Sequence, residues 1–120
     1  MFKRTAFYPC CASDIGPARR LLTGFVDTIV FCDINPELSR LVARVAAEAG
    51  EPDLPEVRAM IDDASQALEQ LETINVLFYR RDSDGEGGSG VYVLGDAYMR
   101  RLLPHFPQEG GLIITDGIVP

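Results

Sequence analysis

The sequence predicts an α/β protein, built as a three-layer α/β/α sandwich around a mostly parallel sheet of about five strands. Apolar runs rich in β-branched and aromatic residues alternate along the chain with segments of helical periodicity. The strand predicted at 27–33 contains an unbroken apolar run at 29–32, which is typical of a strand buried on both faces of a parallel sheet. The length of 120 residues fits a single domain, spanning 1–120, that buries a sizeable core.

The chain begins with a strand, a polar turn and a helix. A short apolar stretch predicts the strand at about 4–9. Ser13 and Asp14 are residue types that favour a helix start, so we expect a helix at about 15–22. Gly24 follows this segment and suits a helix end.

The second unit is the strand at 27–33 and an amphipathic helix. Asn35 is a good helix cap, and Pro36 fits the first helical position after it. Gly50 suits the position that follows the last turn. The predicted buried face has helical spacing and consists of Leu38, Leu41, Val42, Val45, Ala46 and Ala49.

The rest of the chain is predicted to form, in order, a helix at about 55–71, a strand at 73–81, a mobile loop at 82–90, a strand at 91–95, a short helix at 97–103 and a strand at 112–115. The strands on either side of the loop either pair as an antiparallel hairpin or enter the sheet by another route. The loop is glycine-rich but acidic, and it lacks the GxxxxGK[ST] pattern, so we do not expect it to bind phosphate.

The composition is that of an ordinary globular protein, with 47% hydrophobic and 24% charged residues. The formal net charge of −7 repels polyanions, so we expect no nucleic-acid partner. No run approaches the roughly 20 apolar residues that a membrane helix needs, so we expect no membrane association. Three cysteines are too few for a secreted disulfide scaffold, which favours a reducing, cytoplasmic location.

Two segments resemble class I S-adenosylmethionine-dependent methyltransferases, which have a Rossmann-like fold. IVFCDINPELSRLVARVAAEAG, at 29–50, resembles the second strand and helix of that family. VYVLGDAYMRRLLPHFPQEGGLIITDG, at 91–117, resembles a later part, with its "GDA" strand end and its apolar strand ending in "TDG". Together they cover about half of the chain, in the order of the family.

The resemblance implies a cofactor, S-adenosylmethionine, and a role for two carboxylates. Asp33 matches the acid that binds the ribose hydroxyls. Asp96 matches either the adenine-binding acid after the third strand of the family or the acid of a later, substrate-side motif. No residue is assigned a catalytic role.

The first turn departs from the family, whose DxGxGxG pattern lets the backbone approach the cofactor. YPCCASDIGP stands there instead, with Gly16 as its only glycine. Cys11 and Ser13 are small enough for a close approach and complete the candidate cofactor-binding set. Asp14 lies near the predicted helix start, where the methionine carboxylate of the cofactor would lie, so we expect repulsion between like charges.

Two hypotheses follow. In the first, the protein is a compact methyltransferase-like domain that binds S-adenosylmethionine or a related nucleoside through Asp33. In the second, it is a catalytically inactive, acidic interaction module on the same fold, which binds no cofactor and associates with a protein partner or with a second copy. The altered turn, and the few residues that follow Asp116, favour the second hypothesis.

Two further patterns carry less weight. Asp33-Ile34-Asn35 resembles the DxD motif of haloacid dehalogenase-type phosphatases, but Asn35 replaces the second carboxylate that this chemistry needs. Cys10, Cys11 and Cys32 are expected near one another at two strand ends, with His105 as a conceivable fourth ligand. Adjacent cysteines chelate a single zinc ion poorly, so we expect buried structural thiols and no metal.

Overall fold

The computed structural model describes residues 3–48, 54–80, 93 and 95–115. Within these ranges the core is a sheet of five strands that all run parallel, in the order β3-β2-β1-β4-β5. The α/β architecture predicted from the alternation of apolar runs and helical segments is confirmed. The strands are β1 (Thr5–Pro9), β2 (Thr28–Asp33), β3 (Glu56–Ile61), β4 (Val76–Tyr79) and β5 (Leu112–Thr115).

Helices cover both faces of the sheet and complete the three layers. They are α1 (Gly16–Leu21), α2 (Leu38–Ala47), α3 (Ala64–Ala67) and α4 (Asp96–Leu102), and a 3-10 turn at Leu103–His105 follows α4. Alternate strand residues point to opposite faces. Tyr8 and Phe31 therefore pack with α1 and α2, whereas Phe7 and Leu77 pack with α3 and α4.

β1 lies at the centre, in parallel register with β2 on one side and β4 on the other. The chain passes outward from β1 to β2 and β3, then returns across the sheet to β4 and β5. The strand order therefore reverses between β1 and β4. In open α/β sheets, ligands bind outside the carboxyl ends of the strands at such a switch point.

The helix predicted at 55–71 is wrong. Residues Glu56–Ile61 form β3 along the open edge of β2, and the helix that follows spans only Ala64–Ala67. The helix propensity of this segment is overridden because its backbone pairs in parallel with β2 over six successive residues. Asp63 marks the true helix start, since its side chain accepts a hydrogen bond from the Gln66 N–H at 2.8 Å.

Other predicted boundaries shift less. α2 begins at Leu38, because the Asn35 side chain accepts a hydrogen bond from the Glu37 N–H at 2.9 Å and forms a turn before the helix. The strand predicted at 73–81 shrinks to β4 and pairs in parallel with β1 and β5. Gly50, the loop at 82–90 and Asp116 lie outside the described residues, as does most of the strand predicted at 91–95.

Arginine side chains hold the helical layers in place. Arg19 of α1 donates to the carbonyl oxygens of Val45 and Pro55, at 2.9 and 2.8 Å. Arg101 of α4 donates to Ser65, to its hydroxyl at 2.7 Å and to its carbonyl at 2.8 Å. Arg19 therefore links α1 to α2 and to the residue before β3, and Arg101 links α4 to α3.

Candidate functional site

Asp33 is the last residue of β2 and lies at the carboxyl edge of the sheet. Its residue surface is only 5% exposed. Its Oδ1 atom is buried and has no hydrogen-bond partner among the described residues. A buried carboxylate oxygen without a donor is costly, so this atom marks a position where a ligand donor would be stabilising.

The turn between β1 and α1 runs beside Asp33 in a conformation that is unusual for its residues. Cys10 and Ala12 adopt positive φ angles of 57° and 52°. This left-handed region favours glycine, and residues with a side chain adopt it at an energetic cost. The Cys11 N–H donates to the Cys32 carbonyl at 3.1 Å and fastens the turn to β2.

The charge state of Asp33 reflects these surroundings. Burial raises the pKa of Asp33, because removing the carboxylate from water disfavours its charged form. The backbone N–H groups of Ile34 and Ala12 act in the opposite direction and lower it. The turn therefore directs donor groups toward the carboxylate but leaves Oδ1 unsatisfied.

Asp14 is engaged within the protein. It accepts hydrogen bonds from Arg80 Nε at 2.8 Å, from Arg80 Nη2 at 2.7 Å and from the Tyr8 hydroxyl at 2.6 Å. The Arg80 guanidinium also lies 5.6 Å from the centroid of the Phe78 ring. Asp14 is therefore not an unpaired charge. Its contacts with Arg80 link the β1–α1 turn to the end of β4.

The other three residues of the candidate set are dispersed. Cys11 is fully buried in the core beneath α1 and α2, and burial raises the pKa of its thiol. Ser13 is exposed on the turn. Asp96 is exposed at the start of α4, which follows β4 in the chain and not β3. Of these three residues, Cys11 lies near enough to Asp33 for their charges to interact.

The acids that follow the third strand are Asp62 and Asp63. The Asp62 N–H donates to the Asp33 carbonyl at 3.0 Å, so the ends of β2 and β3 are adjacent. Asp62 also accepts a hydrogen bond from the Gln70 amide at 3.0 Å. The sequence prediction missed both residues because it placed them inside a helix, although Asp63 is itself a recognisable helix cap.

The cysteines do not form a metal site, because among the described residues no three His, Cys, Asp or Glu side chains are grouped so that they could hold a metal ion. Cys11 lies in the core beneath α1 and α2, whereas Cys10 and Cys32 lie on the other face of the sheet. His105 lies near the amino end of β4, where its carbonyl accepts a hydrogen bond from the Ile74 N–H. Burial raises the pKa of Cys32 to about 12, so this thiol is protonated at neutral pH.

Comparison of the chain with protein-family models, with curated proteins and with solved structures gives no match. In the described part of the chain, no helix is both long and apolar enough to cross a membrane.

Replacing Asp33 with Asn should leave the free energy of unfolding at pH 7 unchanged or raise it, because the amide removes a buried charge. The raised pKa means that the folded state holds the ionised form at a cost, and protonation relieves this cost. The advantage of D33N over the wild type should therefore shrink as the pH falls from 7 toward 4. Urea titrations across this pH range measure the difference in the free energy of unfolding between D33N and the wild type. Glu69→Gln, at an exposed position, is the matched control. A loss above about 1 kcal/mol at pH 7 would mean that the carboxylate is structural.

Ala12→Gly should stabilise the protein by about 0.5–1 kcal/mol, because glycine removes the left-handed penalty but costs more chain entropy on folding. Ala43→Gly, at an exposed position in α2, should instead destabilise by about 1 kcal/mol. Thermal unfolding of the two variants measures the contrast. Destabilisation by Ala12→Gly would contradict the strain inferred for this turn.

Proposed function

We propose that this protein binds S-adenosylmethionine or a related adenine nucleoside at the carboxyl edge of its sheet, with Asp33 accepting hydrogen bonds from the ribose hydroxyls. The observation that carries the proposal is the buried Oδ1 atom of Asp33, at the end of the strand next to β1, which has no hydrogen-bond partner in the described part of the chain. The strand order supports it, because the neighbouring β1–β4 gap is where such sheets bind ligands.

A vicinal diol fits this carboxylate chemically. An ionised carboxylate only accepts hydrogen bonds, and hydrogen bonds to a charged acceptor are stronger than those between neutral groups. In dinucleotide-binding folds, the ribose lies against an acid that follows the second strand, about 20 residues beyond the first turn. Asp33 likewise ends the second strand, about 20 residues along the chain from the turn at 10–12, and this spacing supports the proposal.

A role in methyl transfer would rest on positioning. In-line displacement at a bound sulfonium needs an oriented, electron-rich acceptor more than it needs an acid or a base. The described cysteines are poor candidates for a nucleophile, because burial keeps Cys11 and Cys32 protonated. The proposal is therefore one of ligand binding, and we assign no catalytic residue.

Adenosine and S-adenosylmethionine should each be tested by isothermal titration calorimetry with the wild type and with Asp33→Asn. Loss of the charged acceptor should weaken binding of the ribose at least about tenfold, which corresponds to about 1.4 kcal/mol. Glu69→Gln should bind as the wild type does. Equal affinities of D33N and wild type would refute the role of Asp33, and absence of binding at millimolar ligand would refute the proposal itself.

A specific observation favours a second candidate function, self-association through β5. This strand is at the end of the sheet, and its outer edge has no partner strand in the part of the chain that is described. Leu112 is 50% exposed and its neighbour Ile113, on the other face, is 43% exposed. The opposite edge, β3, has the exposed charges of Glu56 and Arg58, which are typical protection against edge pairing.

The occupant that we propose for this edge is a second copy of the chain. The four residues of β5 are uncharged, so two copies can meet without like charges in contact. Antiparallel pairing about a two-fold axis centred on Ile113 places this residue beside its own copy and Leu112 beside Ile114 of the second copy. The net charge of −7 on each copy opposes the association.

A reversible dimer should therefore be detected by sedimentation velocity, and it should strengthen as salt rises from 50 to 500 mM because salt screens the repulsion. Ile113→Lys should make the protein monomeric. Ile61→Lys, at a similarly exposed position on the β3 edge, should leave the dimer intact. A wild type that stays monomeric at millimolar concentration, or a dimer that survives Ile113→Lys, would rule out this interface.

A further inference from the structure

An ion pair spans the switch point of the sheet. Asp14, in the turn after β1, and Arg80, directly after β4, are 66 residues apart in the chain and meet across the gap between the two strands. The general rule for open α/β sheets places the ligand in this gap. The protein's own charged side chains therefore stand where part of a ligand would lie.

The pair is largely buried, and its carboxylate is hydrogen-bonded within the protein. Only 8% of the Asp14 side chain and 26% of the Arg80 side chain are exposed. Asp14 accepts three short hydrogen bonds, two of them from a guanidinium fork and one from the Tyr8 hydroxyl. Breaking this arrangement would leave a carboxylate buried and uncompensated, which is strongly destabilising.

The backbone of the turn offers little to an anion. Phosphate-binding turns present free N–H groups and use glycines so that the phosphate can approach. Here the N–H of Asp14 donates to the Cys11 carbonyl at 3.0 Å, and the N–H of Ile15 donates to the Ser13 carbonyl at 2.9 Å. Pro17, at the start of α1, has no N–H to offer.

The position of Asp33 fixes which end of a nucleoside meets this turn. When the ribose hydroxyls lie on the acid after β2, the 5′ substituent points toward the first turn. That substituent would then meet the Asp14 carboxylate. A 5′ phosphate, or a tail that ends in a carboxylate, would bring a second negative charge to the Asp14 carboxylate, which already accepts hydrogen bonds from its own cation, Arg80.

We propose that the site selects nucleosides whose 5′ substituent carries no negative charge, and that the Asp14–Arg80 pair is the specificity determinant. This inference rests on the proposed function, because it assumes that Asp33 holds the ribose. Of the two ligands that the proposed function allows, it disfavours S-adenosylmethionine, whose tail ends in a carboxylate, and favours related nucleosides that are unmodified at the 5′ position or bear a neutral group there. Asp14 and Arg80 act together, since Arg80 alone would attract the anions that the pair excludes.

Two matched pairs of probes test the inference by calorimetry on the whole chain. Adenosine is compared with adenosine 5′-monophosphate, and 5′-methylthioadenosine is compared with S-adenosylhomocysteine, which has the same thioether with a charged amino-acid tail. In each pair the uncharged probe should bind at least about tenfold more tightly to the wild type. Equal or tighter binding of the charged probes, lost in D33N, would overturn the inference and leave the ribose contact of Asp33 standing.

Variants of the pair give an independent measurement. In Asp14→Asn the guanidinium loses its counter-charge, so the preference should reverse in favour of adenosine 5′-monophosphate. The double variant Asp14→Asn, Arg80→Gln carries neither charge, so it should bind adenosine and adenosine 5′-monophosphate with similar affinities. Circular dichroism verifies that each variant folds. If a variant does not fold, the comparison of charged with uncharged probes on the wild type tests the inference alone. Unchanged preference in a folded Asp14→Asn variant would contradict the role of the pair, whereas no binding of any probe to the wild type would refute the proposed function and this inference with it.

Discussion

The parallel pairing of β1 with both β2 and β4 is the constraint on which the rest of the structure depends. Parallel strands need crossover connections, and these bury both faces of the sheet. They also bring the carboxyl ends of the strands to one edge. Asp33, the β1–α1 turn and Arg80 are far apart in the chain, and they become neighbours at this edge only because β1 lies between the other two strands.

The sequence predicts the central strands β1 and β2 and the edge strand β5 well, but it misses β3 at the other edge. β1 and β2 are nearly continuous apolar runs, because both of their faces are covered. β3 has one neighbour and several exposed side chains, so its pattern resembles that of a solvated helix surface. Its strand conformation depends on hydrogen bonds from β2, and no property of residues 56–61 alone specifies those bonds.

The candidate site divides in the same way. Asp33 is predictable, since an acid that ends a buried strand must lie at the carboxyl edge. The partner of Asp14 is not, because Arg80 reaches it only after β4 has paired with β1 across the chain reversal. Sequence reasoning therefore treated Asp14 as a free charge, whereas the structure shows a carboxylate paired with Arg80.

The contrast between the two carboxylates is the strongest argument for a ligand. Both are largely buried at the same edge. One accepts three short hydrogen bonds, whereas Oδ1 of the other has no partner among the residues that the structure describes. A purely structural edge would gain stability by satisfying both or by replacing Asp33 with a neutral residue. The strained, side-chain-bearing turn beside Asp33 adds a second local cost at the same place. Two costs that coincide at one strand end support the proposed binding site, where a ligand donor to Oδ1 would recover part of the energy.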